Sequence, residues 1–466
     1  MTKLENFIKG ILVTGLLGGG TELHAAELHA SAPPKTSLQA GSAGSNEQGS
    51  TGNSTSSASK KKQTNTSSKP NAAAAATTVA AAAAAAQDAS STKSGTSTYH
   101  VLCPKTAAKQ AYLIDADSKA VLFEFNAHER MSPSSMTKIV TACIVGNKLK
   151  DKEITMDTTT TVSSQAYRKE GSTMFLNIGQ TVSVRDLLSG LIIVSGNDAA
   201  VALAECACGS EAVFASYMNA WAHECGATSS NFVNASGLPD PTHKTTASDL
   251  AIMSLRAISD YPDIFSLYSQ KSFTFNGVTQ QTKNEILRRD IGCDGLKTGH
   301  TNDGGYGIVA TIKQDNRRLV LVVNGYKSEQ DRIYDACALL TWGTKTFVNH
   351  HLYKSHSPIT TIPVWYGEDS ELPVTVENDV VITLLRTAPY DVKIVLRYET
   401  PIAAPIQKGT QVGEIIISSQ SMDNEVIVPL IASVSVKEGS FFKKLMDSSV
   451  YLVWGARKPK SVGAGN

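Results

Sequence analysis

Three short motifs follow one another along the chain, and together they constrain its fold more than any other feature. They are S-x-x-K at 135–138, S-x-N at 195–197 and K-T-G at 297–299. The first two patterns also occur elsewhere, but K-T-G occurs once, and the order of the three, with gaps of 60 and 102 residues, makes a chance trio improbable. We therefore expect a fold that brings these three segments to one site.

The first motif predicts an activated serine. On a helix, residues three apart share a face, so Lys138 would lie one turn from Ser135. A serine hydroxyl is a weak nucleophile until a base removes its proton. Lys138 can act as that base only if burial and a neighbouring cation lower its pKa, and Lys297 is the natural second cation. Ser135 would also lie at a helix N-terminus, where the helix dipole favours a developing negative charge.

The other two motifs predict the walls around that serine. We expect Ser195 and Asn197 on a loop between helices, where Ser195 can relay a proton to a leaving amine and Asn197 can hold Lys138 and a substrate amide. The K-T-G segment is predicted to be an edge strand, because Gly299 lacks a side chain and lets a substrate approach the backbone. The main-chain N–H groups of Ser135 and His300 are predicted to form an oxyanion hole.

Composition divides the chain before any motif is reached. Residues 1–30 are interpreted as an export signal, with lysines around the apolar run 11–17 and a cleavage point near Ala25 and Ala26; a disordered start is the alternative. Residues 31–98 are rich in Ser, Thr, Ala, Gly, Asn and Lys and are predicted to be a disordered tether, since they carry too little apolar surface to offset their ordering entropy. The 43 Lys+Arg balance 42 Asp+Glu, which gives no argument for nucleic acid as a partner. No apolar run reaches 18 residues, so a conventional spanning helix is not expected.

The remaining sequence predicts an α+β protein. Over 99–352, strands at both ends enclose helices, which indicates an antiparallel sheet covered by helices. The predicted elements there are a hairpin at 111–115 and 121–125, a helix from Pro133 to about Val145, two or three helices over 184–225, strands at 305–310 and 318–323, and a closing helix at 329–347. Short strands punctuated by Pro, Gly and Asp over 353–438 predict a small all-β domain.

Residues 439–466 are predicted to form a helix and a tail. From Ser440 to Trp454, an apolar stripe runs through Phe442, Leu445, Met446 and Leu452, while lysines and Asp447 lie opposite. Basic residues follow this segment. The pattern is typical of an interfacial membrane anchor. Packing of the stripe against the β domain is the alternative.

Several segments resemble the low-molecular-mass penicillin-binding proteins, the serine-type D-alanyl-D-alanine carboxypeptidases. The segments that carry the resemblance are Ser132–Lys138, Gly171–Leu176, Ser195–Ala200, Asp294–Thr301 and Leu339–Gly343. The resemblance implies a penicillin-binding/β-lactamase-like transpeptidase domain followed by a small β domain. The sequence departs from the family pattern at two places. Ser134 stands where the family has Ala, and residues 282–287 stand where the family has the motif N-x-N-x-L-L. The long tether is also untypical.

The resemblance also implies an activity and the residues that carry it. The enzyme would remove the terminal D-alanine from peptidoglycan pentapeptide stems through an acyl-enzyme, without a metal or organic cofactor, and β-lactam antibiotics would be covalent inhibitors. Its expected location is the periplasmic face of the cytoplasmic membrane, where the C-terminal helix would hold it to the membrane surface. The catalytic residues would be Ser135, Lys138, Ser195 and Asn197. The substrate-binding residues would be Lys297, Thr298, Gly299, His300 and Arg332, the last placed just before the closing helix.

Other functions and two structural points stay open at this stage. A DD-endopeptidase would use the same residues, whereas a class A β-lactamase needs a deacylating glutamate, and no E-x-x-L-N segment lies between the second and third motifs. A non-catalytic penicillin-binding scaffold is disfavoured by the intact Ser135–Lys138 pair. The seven cysteines are interpreted as free thiols, although the cysteines at 206, 208 and 225 could supply one disulfide. His243 is expected at the surface.

Overall fold

The computed structural model describes residues 23–29, 93–399 and 402–454. The predicted export signal and tether therefore lie largely outside the described residues, and both stay predictions. Leu23–His29 is described as a strand that pairs antiparallel with Lys393–Glu399. Cleavage at Ala25 or Ala26 would remove part of that strand.

The described residues form nine α-helices, three 3-10 helices and twenty strands. The helices are α1 Lys138–Lys150, α2 Ser164–Tyr167, α3 Val184–Ile193, α4 Asn197–Cys208, α5 Glu211–Glu224, α6 Ala247–Asp260, α7 Pro262–Ser266, α8 Glu329–Thr346 and α9 Phe441–Trp454. The 3-10 helices are Ser134–Thr137, Leu267–Ser269 and Glu285–Arg288. The strands up to the middle of the chain are β1 Leu23–His29, β2 Lys93–Ser94, β3 Lys105–Thr106, β4 Gln110–Asp115, β5 Val121–Phe125, β6 Thr159–Thr161, β7 Thr181–Ser183, β8 Ser272–Phe275 and β9 Val278–Gln281. The remaining strands are β10 Cys293–Thr301, β11 Gly305–Gln314, β12 Arg317–Tyr326, β13 Phe347–Tyr353, β14 Thr360–Trp365, β15 Glu371–Thr375, β16 Val380–Leu385, β17 Lys393–Glu399, β18 Ile402–Ala403, β19 Gln411–Ser418 and β20 Val426–Ala432.

A five-stranded antiparallel sheet organises the first half of the protein. Its strand order is β10-β11-β12-β4-β5, so the strand that carries K-T-G lies at one edge, as predicted. Alternate side chains of a strand point to opposite faces, and both faces are covered here. Val320 and Val322 face the core shared with α1 to α6, whereas Leu319 and Leu321 face the core shared with α8.

Helix α1 lies at the centre of the larger core. Its residues from Lys138 to Gly146 are all buried, as expected of a helix enclosed on every side. Helices α4, α5 and α6 pack against it. The helix begins and ends about five residues later than predicted, since it runs from Lys138 to Lys150. Ser134–Thr137 forms the 3-10 turn that leads into it.

The second half of the protein contains the predicted all-β region. Most of its strands belong to a seven-stranded sheet of order β1-β17-β19-β20-β15-β14-β18, while β13 pairs with β16. Its apolar side chains, such as Leu372, Ile415 and Leu430, form a separate core. The family-level fold predicted from the sequence, a sheet-and-helix domain followed by a small β domain, is confirmed. The predicted domain boundaries stay predictions.

Helix α9 contacts the β region through its polar side. The carboxylate of Asp447, which is 5% exposed, accepts a hydrogen bond from Tyr366 N (3.0 Å) and pairs with Lys443 Nζ (2.8 Å). The Ser448 hydroxyl donates to Tyr366 Oη (3.3 Å). The apolar stripe points away from this contact, since Phe442 and Leu452 are 77% and 85% exposed. The alternative that the stripe packs on the β region therefore does not describe this helix.

Two further findings bear on the expectations from sequence. No single described helix is long and apolar enough to cross a membrane, although the bent pair α4 and α5 passes a test of length and composition. All seven cysteines are free thiols; Cys143 is buried and the others are half-buried.

Candidate active site

The site begins with Ser135 and Lys138, which the 3-10 turn and α1 place one turn apart. Lys138 Nζ lies 3.0 Å from Ser135 Oγ. The same amine donates to Asn197 Oδ1 (2.7 Å) and to the main-chain carbonyl of Ser236 (2.5 Å). Lys138 is fully buried, whereas Ser135 is half-buried and remains open to a ligand.

Ser195 and Asn197 form the second wall at the junction of α3 and α4. Ser195 lies in the connection between the helices, with a positive φ of 65°, as predicted for a loop residue. Asn197 is not on a loop but is the first residue of α4. The main-chain N–H groups of the first helical turn have no acceptor within the helix, and that of Asn197 donates instead to Ser172 O (2.7 Å). The Asn197 amide is oriented by donating from Nδ2 to Glu170 O (2.6 Å), which leaves Oδ1 for Lys138.

Asp198 attaches the segment 171–176 to this wall. Its buried carboxylate accepts hydrogen bonds from the Thr173 hydroxyl and from the main-chain N–H groups of Met174 (3.1 Å) and Leu176 (3.2 Å). The family-like segment is thus held against the start of α4 by one side chain. The segment also supplies Ser172 O, the acceptor of the Asn197 main-chain N–H.

The K-T-G strand closes the opposite side of the site. A Cβ on Gly299 would lie 2.9 Å from Pro133 O and 3.1 Å from Ser134 Cβ, so the glycine allows β10 to pack against the nucleophile turn. Lys297 and Thr298 are buried beside it, while His300 is exposed and stacks on Tyr306 with ring centroids 3.9 Å apart.

Burial and neighbouring cations perturb both lysines of the site. Burial, followed by the charge of Lys297, holds the pKa of Lys138 well below its usual value, although Asp198 and Glu211 partly oppose this shift. Burial, followed by the charges of Arg332 and Lys283, lowers the pKa of Lys297 to about 7. A lysine with a depressed pKa can be a neutral amine near neutral pH, which is the form a general base needs.

Arg332 lies near the K-T-G lysine, within the closing helix that the sequence predicts over 329–347. It is a buried residue in the first turn of α8 rather than before the helix, because Ser328 caps the helix by accepting from Asp331 N (3.1 Å). Arg332 Nη2 donates to Glu329 Oε1 (2.5 Å), and its Nε has no hydrogen-bond partner within the described part of the chain.

A loop at 231–245 is part of the site and was not predicted. It supplies the Ser236 carbonyl to Lys138, and it brings in His243, which is 2% exposed and not a surface residue. The sequence contains no conspicuous signal for this role because the contributing atom is a main-chain oxygen. The glycine at 237 is the residue whose type reflects this close packing. Its φ is +81°, and a Cβ there would lie 1.8 Å from Ser134 O.

The chain is similar to known proteins over most of its length. Residues 97–328 match the family described as D-alanyl-D-alanine carboxypeptidase, and 347–438 match the C-terminal domain of penicillin-binding protein 5. D-alanyl-D-alanine carboxypeptidase DacC of Escherichia coli is 35% identical over 357 residues, which are 74% of this chain and 88% of that protein. DacA of Haemophilus influenzae is 33% identical over 381 residues, covering 79% of this chain and 95% of that protein.

This chain belongs to the D-alanyl-D-alanine carboxypeptidase family. Penicillin binding protein 5 from Haemophilus influenzae superposes with a TM-score of 0.70 at 33% identity, covering 72% of this chain and all of that structure. Penicillin binding protein 6B from Escherichia coli gives a TM-score of 0.60 at 31% identity, covering 73% and 99%.

Family membership confirms the activity that the resemblance implied. The chain is a serine-type D-alanyl-D-alanine carboxypeptidase. The endopeptidase, β-lactamase and scaffold alternatives are not favoured. All three carboxypeptidase motifs meet at the site described here, although the role of each residue stays a prediction.

Proposed function

We propose that Ser135 of this carboxypeptidase attacks the carbonyl carbon of the penultimate D-alanine of a peptidoglycan stem peptide. The observation that carries the proposal is the buried Lys138 amine 3.0 Å from Ser135 Oγ. Ser135 Oγ forms a bond to the carbonyl carbon while its proton passes to Lys138, and the C–N bond to the terminal D-alanine then breaks. Water hydrolyses the resulting ester and regenerates the serine.

Hydrogen-bond accounting supports Lys138 as the base. A neutral amine has two N–H donors and one lone pair. Asn197 Oδ1 and Ser236 O are both obligate acceptors at 2.7 and 2.5 Å, so they take the two N–H groups and leave the lone pair directed at the Ser135 hydroxyl. After proton transfer, the ammonium group of Lys138 keeps both acceptors, and its third N–H faces Ser135 Oγ.

The remaining residues fit the other demands of the reaction. The leaving amine needs a proton, which Lys138 can return through Ser195. The terminal carboxylate of the stem needs cations, and Lys297 with Arg332 supplies them beside Thr298. A developing oxyanion needs preorganised donors, for which the main-chain N–H groups of Ser135 and His300 are the candidates.

Acylation by a β-lactam tests the assignment of the nucleophile and the base. The adduct should be found by mass spectrometry on the peptide that contains Ser135. Lys138→Arg keeps the positive charge but cannot accept a proton at working pH. We expect its acylation rate to fall by at least about 10³-fold, since without the base the serine stays a weak nucleophile.

The matched control for this test is Lys345→Arg, the same substitution on α8 away from the three motifs, which should react like the wild type. An adduct on another residue, or near-normal acylation of Lys138→Arg, would refute the assignment.

We also propose that the carboxypeptidase works outside the cytoplasmic membrane, held to the membrane surface by α9. Docking of the helix through Asp447 and Ser448 leaves its apolar stripe exposed, and an exposed stripe of this kind fits a lipid interface. The export signal predicted over 1–30 and the basic residues after α9 support the same location.

Removal of 439–466 tests the anchor. The truncated protein should no longer sediment with anionic liposomes, because the apolar stripe and the basic tail are both lost. Hydrolysis of a soluble pentapeptide should be unchanged, since the site lies in the other half of the protein. The control is the full chain at high salt, in which binding should weaken but not vanish. Continued sedimentation of the truncated protein would place the anchor elsewhere.

A further inference from the structure

His243 belongs to the loop 231–245 and faces the turn that carries the nucleophile. Its Nε2 is 2.8 Å from the hydroxyl oxygen of Thr137, the residue that precedes Lys138. Its Nδ1 accepts a hydrogen bond from Val233 N (3.1 Å), and its ring packs edge-on against Phe232 with centroids 5.5 Å apart. His243 and Thr137 are both buried.

These contacts determine which ring nitrogen carries the proton. A main-chain N–H can only donate, so Nδ1 of His243 must be unprotonated where it faces Val233 N. In a neutral imidazole the proton is then on Nε2, and Nε2–H donates to Thr137 Oγ1. Burial, partly opposed by Asp240, lowers the pKa of His243 to about 4, which keeps the ring neutral at ordinary pH.

The Thr137–His243 hydrogen bond is one of several contacts that join the loop to one side of the nucleophile segment. Thr141, one turn further along α1, donates from its hydroxyl to Ala235 O (2.6 Å). Gly237 packs directly on Ser134 O. The Ser236 carbonyl, the acceptor for Lys138, lies between these two contacts in the loop. Its position therefore depends on how the loop is held against the turn and α1.

We propose that His243 is a positioning residue for acylation: by donating to Thr137, it holds the loop so that the Ser236 carbonyl stays on Lys138 Nζ. The inference rests on the proposed role of Lys138 as the base. Without this hydrogen bond, the carbonyl can shift away from the amine. The lone pair of Lys138 is then no longer confined to the direction of the Ser135 hydroxyl, and fewer enzyme molecules are ready to react. His243 itself does not contact the reacting atoms.

Paired substitutions distinguish the hydrogen bond of His243 Nε2 from that of His243 Nδ1. His243→Asn can accept from Val233 N but does not reach Thr137, whereas His243→Gln can place an amide N–H near the position of Nε2. Thr137→Val removes the acceptor, and Thr137→Ser keeps it. We expect His243→Asn and Thr137→Val each to lower the first-order rate constant of β-lactam acylation by about ten- to a hundredfold, because a small misplacement of a catalytic group has effects of this size. His243→Gln and Thr137→Ser should recover most of the rate.

Three readouts distinguish positioning from a loss of folding. The dissociation constant of the non-covalent β-lactam complex should be unchanged, so that the effect is confined to the acylation step. The double variant His243→Asn/Thr137→Val should be no slower than the slower single variant, since both changes remove the same hydrogen bond. Thr375→Val, which removes a buried hydroxyl from the β region (its bond to Ser357 O is 2.7 Å), should acylate like the wild type.

All rates are measured below the melting temperature of the least stable variant. Three outcomes would overturn the inference. His243→Asn or Thr137→Val could be acylated at the wild-type rate, or the effects of the two substitutions on the rate constant could be additive in the double variant. His243→Asn and His243→Gln could also lose the same share of the acylation rate. Failure of the underlying mechanism would be seen separately, as undiminished acylation by Lys138→Arg.

Discussion

Within the described part of the chain, two lysines of this site are buried without a carboxylate as hydrogen-bond partner. Lys138 bonds to Ser135, Asn197 and the Ser236 carbonyl, and Lys297 donates to Thr298 O (3.1 Å). Burial of a cation in this way is unfavourable, so such residues lower stability while serving function. The arrangement suits a reaction that needs one neutral amine and one cationic site for an incoming carboxylate.

Replacing Lys297 by Met should therefore stabilise the protein while abolishing carboxylate recognition. The pKa of Lys297 is about 7 in the folded protein, whereas lysine in an unfolded chain has a pKa of about 10.4. The unfolded chain binds more protons between these pH values, so this group makes the free energy of unfolding rise with pH across that window. Below pH 7 the penalty is greatest, and there Lys297→Met should gain several kcal/mol, since the two pKa values differ by roughly three units and one unit corresponds to about 1.4 kcal/mol.

Chemical denaturation of both proteins at several pH values checks this expectation. The advantage of Lys297→Met should shrink as the pH rises from 7 towards 10. Lys313→Met, at an exposed position of β11, is the control and should show no such trend. A stability difference that does not vary with pH would contradict the explanation.

At the scale of elements, the sequence was most informative where one local pattern determined the structure. The hairpin β4–β5, the edge strand β10 and the helices α8 and α9 lie close to their predicted positions, because alternation, turn residues and apolar periodicity specify them locally. The loop 231–245 could not be predicted in this way. Its contribution to the site is a main-chain carbonyl, and its contacts join residues about 100 positions apart, from Thr137 to His243. The start of α4 at Asn197 likewise depends on a partner in a distant segment.

Asp198 accepts three of the hydrogen bonds that hold the segment 171–176 in place, which makes it a sensitive test of this element. Asp198→Asn keeps the size of the side chain but replaces one acceptor oxygen by a donor, so the bonds from Thr173, Met174 and Leu176 cannot all persist. We expect a loss of about 2 kcal/mol in the free energy of unfolding, typical of hydrogen bonds to a charged group. The acid limb of kcat/KM should also move to lower pH, because the charge of Asp198 raises the pKa of Lys138.

Asp115→Asn is the matched control for this element. Asp115 is also fully buried, and its carboxylate accepts from Arg317 Nε (2.6 Å) and Asn349 Nδ2 (2.9 Å). It pairs with Leu319 on β12, at the end of that strand opposite to Tyr326 and the K-T-G side of the sheet. This variant should lose stability but keep the acid limb in place. An unchanged pH profile for Asp198→Asn would show that its charge does not act on Lys138.

At the scale of the whole molecule, polar contacts of the described residues set the direction of the apolar stripe on α9. Asp447 joins the helix to Tyr366, and Gly439 N, just before the helix, donates to Tyr366 O (2.7 Å). The β region is therefore attached to the side of α9 opposite the stripe. If the stripe lies in a lipid surface, the orientation of the β region relative to that surface depends on these polar contacts, including those of Asp447.

Asp447→Ala separates the proposed attachment to a membrane from the orientation of the protein on it. The substitution removes the acceptor for Tyr366 N and the partner of Lys443, while the apolar stripe is untouched. We expect unchanged sedimentation with anionic liposomes and unchanged hydrolysis of a soluble pentapeptide. Deuterium exchange, followed by mass spectrometry, should become faster in peptides covering 362–368 and 441–450, because local opening of the helix from the β region costs less. Ser449→Ala, on the exposed side of the same helix, should leave exchange as in the wild type. Unaltered exchange in Asp447→Ala would mean that this carboxylate does not hold the helix in place, whereas loss of liposome binding would mean that docking and attachment to the membrane cannot be separated.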